Sequence, residues 1–286
     1  MDELYIKVSN ATKRVLYQYM KNADIPLLNY NFDYFFQHCI QKHQIQVISH
    51  HFSNHKIEGL TVVDELGTSF SYERDNPKVK QNFTLCHELG HFILKHDGNY
   101  FAESIDNQEN LLEREANVFS AVVLMPDIVL LSKIYYSCET FHQVQNSLAV
   151  SKQALFFRLL DFLREYYPGK DSEIKQAVET YIEGKNASIF RLFHDIREQI
   201  IEEFHQFQPS LINQVKKRVS EVGFATSLEY PDLLNQANWK AIKASNINIK
   251  TWLVYNKGKS IAYVWDKEKF SDEEAKKKAE LQLLLM

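Results

Sequence analysis

Apolar positions recur at helical spacing through most of the chain and alternate in only a few short stretches. Leu4, Val8, Ala11 and Val15 set such a period, and the pattern predicts helices over 4–21 and 32–42. Residues 45–49 read as a short strand. Residues 58–74 read as a hairpin, with Leu60, Val62 and Val63 on one arm, 69–72 on the other and Asp64-Glu65-Leu66-Gly67 as the turn. A well-marked helix follows. Asn76 caps it, Pro77 takes the first helical position, and Asp97-Gly98 ends it just past His96. A second helix opens near Asp106 or Asn107, with Glu109 in a capping-box position, and Pro126 stops it. Residues 140–168 read as two helices, the second capped by Ser151 after a turn at Val150. Beyond the turn-rich Pro168-Gly169-Lys170-Asp171-Ser172, residues 172–222 are mostly helical, 247–265 form a hairpin, and Ser271 with Glu274 opens a last helix.

Composition narrows this picture. The chain has 286 residues, 45% of them apolar and 24% charged, a globular profile. Its 8 glycines and 6 prolines are few, which favours helices over a many-stranded sandwich or barrel. The net charge of −4 supplies no long-range pull toward nucleic acid or anionic lipid. Cys39, Cys86 and Cys138 form no CxxC pair, which suits a reducing compartment and no disulfide framework. The first residues lack the basic start and apolar core of a signal peptide. The apolar run 121–125 is stopped by Pro126 and Asp127, well short of the ~18 residues of a membrane span. The expectation is a cytoplasmic protein that does not engage a membrane.

The chemistry concentrates in His87-Glu88-Leu89-Gly90-His91, an H-E-x-x-H inside the capped helix. Four residues advance a helix by about 400°, so the two imidazoles point within about 40° of each other and can share one Zn²⁺. Glu88 lies about 100° round the helix, displaced from the ligand face but within reach of a water, where it would serve as general base. The bland alternative is a surface helix with two solvated histidines. Flanking Phe83, Leu85, Leu89, Phe92, Ile93 and Leu94 argue that the helix is buried, and buried histidines need partners. A catalytic zinc takes three protein ligands and keeps one open position. Glu113 and Glu115 on the next helix both qualify, and the helical wheel does not choose between them.

The run Phe83-Thr84-Leu85-Cys86-His87-Glu88-Leu89-Gly90-His91, followed by Glu113-x-x-Ala116-Asn117-x-Phe119 and Leu124-Met125-Pro126, resembles the ImmA/IrrE family of metallopeptidases. Val150-Ser151-x-x-Ala154-Leu155-x-x-Arg158-Leu159 also resembles a piece that follows the family's core, so the likeness spans roughly residues 1–165 and leaves 171–286 uncovered. The resemblance implies an α+β fold: a mainly helical zincin-like core with a small sheet, then a helix-turn-helix-like segment. To these the sequence adds a C-terminal α+β domain. It implies one Zn²⁺ per chain held by His87, His91 and Glu113, with Glu88 catalytic and Glu115 a solvated or salt-bridged acid. Asn117 would orient a ligand or simply pack. The implied substrate is a helix-turn-helix transcriptional repressor, cut to derepress mobile-element or stress-response genes. A different reading is a zinc-containing regulator that inactivates a repressor by binding alone.

The expected organisation is a metallopeptidase core over 1–137, a helical segment over 138–170 packed on it, and a regulatory or substrate-recruiting domain over 171–286. The hairpin 60–72 is expected to present an edge strand to an extended substrate. Cys86 reads as a core cysteine, His96 as exposed near the helix end, and His50, His51 and His55 as solvated loop histidines or a second metal site. Residues 141–165 have a helix-turn-helix outline, but 141–170 carry a net charge of only +2 (Lys152, Arg158, Arg164 and Lys170 against Asp161 and Glu165). Phe156, Phe157, Leu159 and Leu160 leave little polar face to read bases, which argues against direct nucleic-acid binding. Trp239, Trp252 and Trp265 mark a small core in the C-terminal region.

Overall fold

Helix α1 (Glu3–Ala23) turns Tyr5, Val8, Leu16, Tyr17 and Met20 inward, and the rest of the first unit is built around that stripe. The computed structural model describes residues 3–51, 57–96, 100–104, 110–256 and 258–285, with the backbone alone described for 100–104. The chain divides into two units, Met1–Phe207 and Gln208–Met286.

In the first unit, α2 (Phe32–His43) leads into a mixed four-stranded sheet of β1 (Gln46–His50), β2 (Ile57–Asp64), β3 (Gly67–Glu73) and β4 (Tyr100–Ser104), in the order β1-β3-β2-β4. The expected hairpin is present, with β2 antiparallel to β3 and Thr61 opposite Phe70. Its place in the sheet differs from expectation. β2 pairs with β4 on its other side and β3 pairs in parallel with β1, so among the described residues neither arm is a sheet edge. The edges are β1 and β4. The sequence pattern did not reveal β4, a short segment flanked by residues outside those described.

Helix α3 (Lys78–Leu94) packs on this sheet. Pro77 is its cap residue, with an extended backbone, rather than the first helical residue. The helix ends at Lys95, a non-glycine residue in the left-handed region (φ 57°). Asp97, Gly98, Asp106, Asn107 and Glu109, expected to bound this helix and the next, lie outside the described residues. Helix α4 (Leu111–Leu124) is capped by Asn110, whose side chain accepts from the Leu112 N–H. After Pro126 come α5 (Asp127–Leu130) and a π-helical turn, Leu131–Tyr136. The stretch Leu111–Tyr136 is long and apolar enough to cross a membrane, contrary to the sequence expectation, which stopped counting at Pro126. Its most apolar window is 78% buried within the protein, as a core helix would be.

Helices α6 (Phe141–Ser147) and α7 (Lys152–Tyr166) follow, with Ser151 capping α7 as expected. Helices α8 (Asp171–Ile182) and α9 (Ala187–His205) then place Ile174, Val178, Tyr181, Leu192, Phe193, Ile196 and Ile200 in the same apolar core as α4 and α7. This moves the domain boundary. The turn at 168–172 joins two elements of one core, and the division falls at Phe207/Gln208 rather than at 170. Pro168-Gly169 is a tight inter-helix turn, and composition alone does not separate such a turn from a linker.

Charged groups also enter this core. Lys13 Nζ lies 2.7 Å from Asp127 Oδ2. Arg158 bonds Asp127, donates to the Met125 carbonyl at 3.1 Å and to the Tyr5 hydroxyl at 2.8 Å. All three charged side chains are at most 1% exposed. They tie α1, α5 and α7 together by mutual compensation of buried charge.

The second unit is a sandwich around an antiparallel sheet of order β5-β7-β6, formed by β5 (Phe224–Thr226), β6 (Ile249–Asn256) and β7 (Lys259–Asp266). Helices α10 (Leu211–Val222) and α11 (Gln236–Ala244) cover one face through Val215, Val219 and Ile242 against Ala225, Ile249, Ala262 and Val264. Helix α12 (Asp272–Leu284), opened by the expected Ser271–Glu274 capping box, covers the other through Ala275, Ala279 and Leu283. Of the three tryptophans expected in this core, Trp265 is buried, Trp239 is partly buried, and Trp252 is 63% exposed.

Candidate metal centre

The site forms where α3 and α4 lie side by side. Gly90 permits the close approach: a Cβ there would sit 3.1 Å from the Phe119 ring and 3.2 Å from the Ala116 backbone. The sequence pairs Gly90 on one helix with Ala116 on the other, and their small size brings Glu113 opposite the histidines of α3.

His87 and His91 stand one turn apart on α3, and their Nε2 atoms lie 3.0 Å from each other. Glu113 Oε2 is 3.0 Å from His87 Nε2, and its other oxygen is 3.6 Å from His91 Nε2. One ligand atom from each residue lies within 4.8 Å of the other two, so the expected trio converges. Burial pushes the Glu113 carboxyl up, but the hydrogen bonds and charge of His87 and His91 outweigh it and hold it at about 2. Burial lowers the His91 imidazole below its ordinary value, against the opposing pull of Glu113.

The outer ring nitrogens are also held. His87 Nδ1 lies 3.0 Å from Asn117 Oδ1, so Asn117 orients a candidate ligand. His91 Nδ1 lies 2.8 Å from His96 Nδ1, and His96 Nε2 lies 2.9 Å from Glu115 Oε2. His96, expected to be exposed, has a side chain only 4% exposed. Glu115, expected to be either solvated or salt-bridged, pairs with His96, while Glu113 faces the ligand cluster. With protons on the outer nitrogens, the inward atoms are two imidazole lone pairs and a carboxylate, a donor set suited to a divalent cation.

Glu88, beside His87 on the same helix, is fully buried and holds one oxygen against the sheet. Thr61 on β2 donates to its Oε2 at 2.5 Å. Gly59, two residues earlier on the same sheet face, makes room for it: a Cβ there would lie 2.4 Å from Glu88 Oε1. Sequence reasoning missed Thr61, Gly59 and the His96–Glu115 pair. The first two lie in a strand whose alternation gives only a facing, and His96 sits five residues past His91, off the helical face until Lys95 turns the chain.

A cavity of about 870 Å³ opens beside His87, Glu113 and Asn117. Val79, Lys80 and Phe83 of α3 line it, together with Val118 and Ala121 of α4 and Gln153, Ala154 and Phe157 of α7. Phe157, half exposed, is thus a wall of this cavity. Lys80 pairs with Glu58 within the lining. Elsewhere, Cys86 is a buried core cysteine whose thiol burial pushes well up. His51 meets Glu73 at 3.4 Å and Asp75 at 3.0 Å, a second and more exposed group spaced to accept an ion. His55 lies outside the described residues.

Residues 40–160 match the family model of the IrrE N-terminal-like domain, a peptidase family. No curated protein matches the chain. The family match agrees with the resemblance carried by the motifs of 83–126 and 150–159.

Proposed function

From a chain that carries an IrrE N-terminal-like domain, we propose a zinc-dependent endopeptidase that cuts a helix-turn-helix transcriptional repressor and so derepresses the genes it controls. The convergence of His87, His91 and Glu113, beside a cavity large enough for a peptide segment, carries the reading. These three residues would hold one zinc. Bound zinc supplies Lewis-acid polarisation of the scissile carbonyl.

The chain's own residues supply the rest. Asn117 holds His87 in the orientation that presents Nε2 inward. Glu88 takes a proton from the attacking water and returns it to the leaving amine. Thr61 fixes one of its oxygens, which limits the carboxylate to small rotations about a defined position. The apolar flank of Phe83, Val118, Ala154 and Phe157 receives the substrate chain, and β4, a sheet edge, offers backbone groups to an extended segment. The second unit, with its separate core, recruits the repressor or gates the site.

The test is to incubate the zinc-loaded protein with a candidate repressor beside Glu88→Gln. Cleavage by the wild type alone supports the proposal. Equal cleavage by both refutes the role of Glu88, and repressor release without fragments favours inactivation by binding.

A further inference from the structure

The His96 ring is buried against His91 although it follows the end of α3. The backbone brings it there. The His96 N–H bonds the His91 carbonyl at 3.1 Å and the Lys95 N–H bonds the Phe92 carbonyl at 3.2 Å, a Schellman closure in which the residue between must be left-handed. That residue is Lys95, at φ 57°, a conformation that a side chain disfavours. The chain accepts this strain at the point that folds His96 back over the last helical turn.

We infer that His96 and Glu115 form a positioning pair that fixes the tautomer of His91. This rests on the metal-centre reading above. Between His91 Nδ1 and His96 Nδ1, 2.8 Å apart, there is room for one proton. If His96 carried it, a neutral His96 would turn the Nε2 lone pair toward the Glu115 carboxylate at 2.9 Å, acceptor against acceptor. The favourable arrangement is the reverse. His96 Nε2–H donates to Glu115, its Nδ1 accepts from His91 Nδ1–H, and the lone pair of His91 is left on Nε2, facing His87 and Glu113. The sign of Glu115 is thereby transmitted through two neutral rings to the ligand atom of His91. Asn117 does the same for His87 in one step.

The experiment measures zinc affinity of the full chain by competition with a chromophoric chelator, and separately the ring-nitrogen shifts of ¹⁵N-histidine-labelled, metal-free protein. Glu115→Ala and His96→Ala are expected to weaken zinc binding about 10–100-fold. Glu115→Gln, which keeps an accepting oxygen, should recover most of that loss. The metal-free wild type should show His91 protonated on Nδ1 and His96 on Nε2, and Glu115→Ala should mix the two His91 tautomers. Affinities within twofold of wild type in both alanine variants, or His91 protonated on Nε2 in the wild type, would overturn the inference. A wild type that binds no zinc would sink the metal-centre reading instead, and the ring-nitrogen spectrum would still judge the pair.

Discussion

Thr61 donates a hydrogen bond to Glu88 at 2.5 Å, joining the second strand of the sheet to the glutamate of the H-E-x-x-H helix. Both side chains are fully buried. Replacing Thr61 by valine keeps the shape and removes the donor. The expected cost is about 1–3 kcal/mol, the penalty of a buried acceptor that loses a partner, read as a lower Tm. Thr61→Ser should retain most of the stability. Zinc content should be unchanged in both, whereas repressor cleavage should fall in Thr61→Val.

Gly59 yields a sharper test of the same packing. An added Cβ would lie 2.4 Å from Glu88 Oε1 and 2.5 Å from Thr84 Cγ2. Gly59→Ala must displace the Glu88 carboxylate or the strand, at about 1–3 kcal/mol. Chemical denaturation compared with Gly67→Ala, where nothing lies within 4 Å and only the backbone at φ 123° objects, separates crowding from backbone strain.

The buried charges of Lys13, Asp127 and Arg158 set an acid response. Burial raises the Asp127 carboxyl, but Lys13 and Arg158 outweigh it and hold it below the ordinary carboxylate range. A depressed folded value means the stabilisation is present above about pH 4 and is lost as pH falls through the folded value. Glu165 and Glu203, near Lys13, are raised by burial and act in the opposite sense, costing stability above the usual range and relaxing first on acidification. Asp127→Asn should therefore lower Tm at neutral pH and flatten its fall below about pH 4. Arg158→Met should cost about 3–5 kcal/mol, because it removes one of the two cations held against the buried Asp127 and leaves the Met125 carbonyl and Tyr5 hydroxyl without their donor.

The position of the domain boundary is equally open to test. A fragment of 1–207 should fold and bind zinc, and 208–286, with apolar cores on both faces of its sheet, should unfold cooperatively by itself. A fragment of 1–170 removes Tyr181, Phe193 and Ile196 from the core and should aggregate or lose its cooperative melt. Circular dichroism with size-exclusion chromatography reads all three.

How far the sequence alone reaches is clear from particular residues. Helix spacing placed His87 and His91 on one face but left Glu113 and Glu115 open; the family resemblance implied Glu113, which is the acid facing the two imidazoles. The caps at Ser151 and Ser271 were legible because capping chemistry is local. What escaped depends on tertiary position. Strand alternation tells which face Thr61 occupies but not that β4 and β1 flank the hairpin. His96 is brought inward by a left-handed lysine that no propensity would choose. The turn at Pro168-Gly169 has the composition of a linker, and only the apolar faces of α8 and α9, joined to the first core, reveal otherwise.

The account stands most directly on metal content. The purified full chain, dialysed against buffer with micromolar zinc and analysed by inductively coupled plasma mass spectrometry, should hold one zinc per chain. Glu113→Ala should lose it, and Glu115→Ala should keep the stoichiometry at saturating zinc. A metal-free wild type, or a Glu113→Ala variant that binds zinc as the wild type does, would contradict the assignment of His87, His91 and Glu113 as a metal centre.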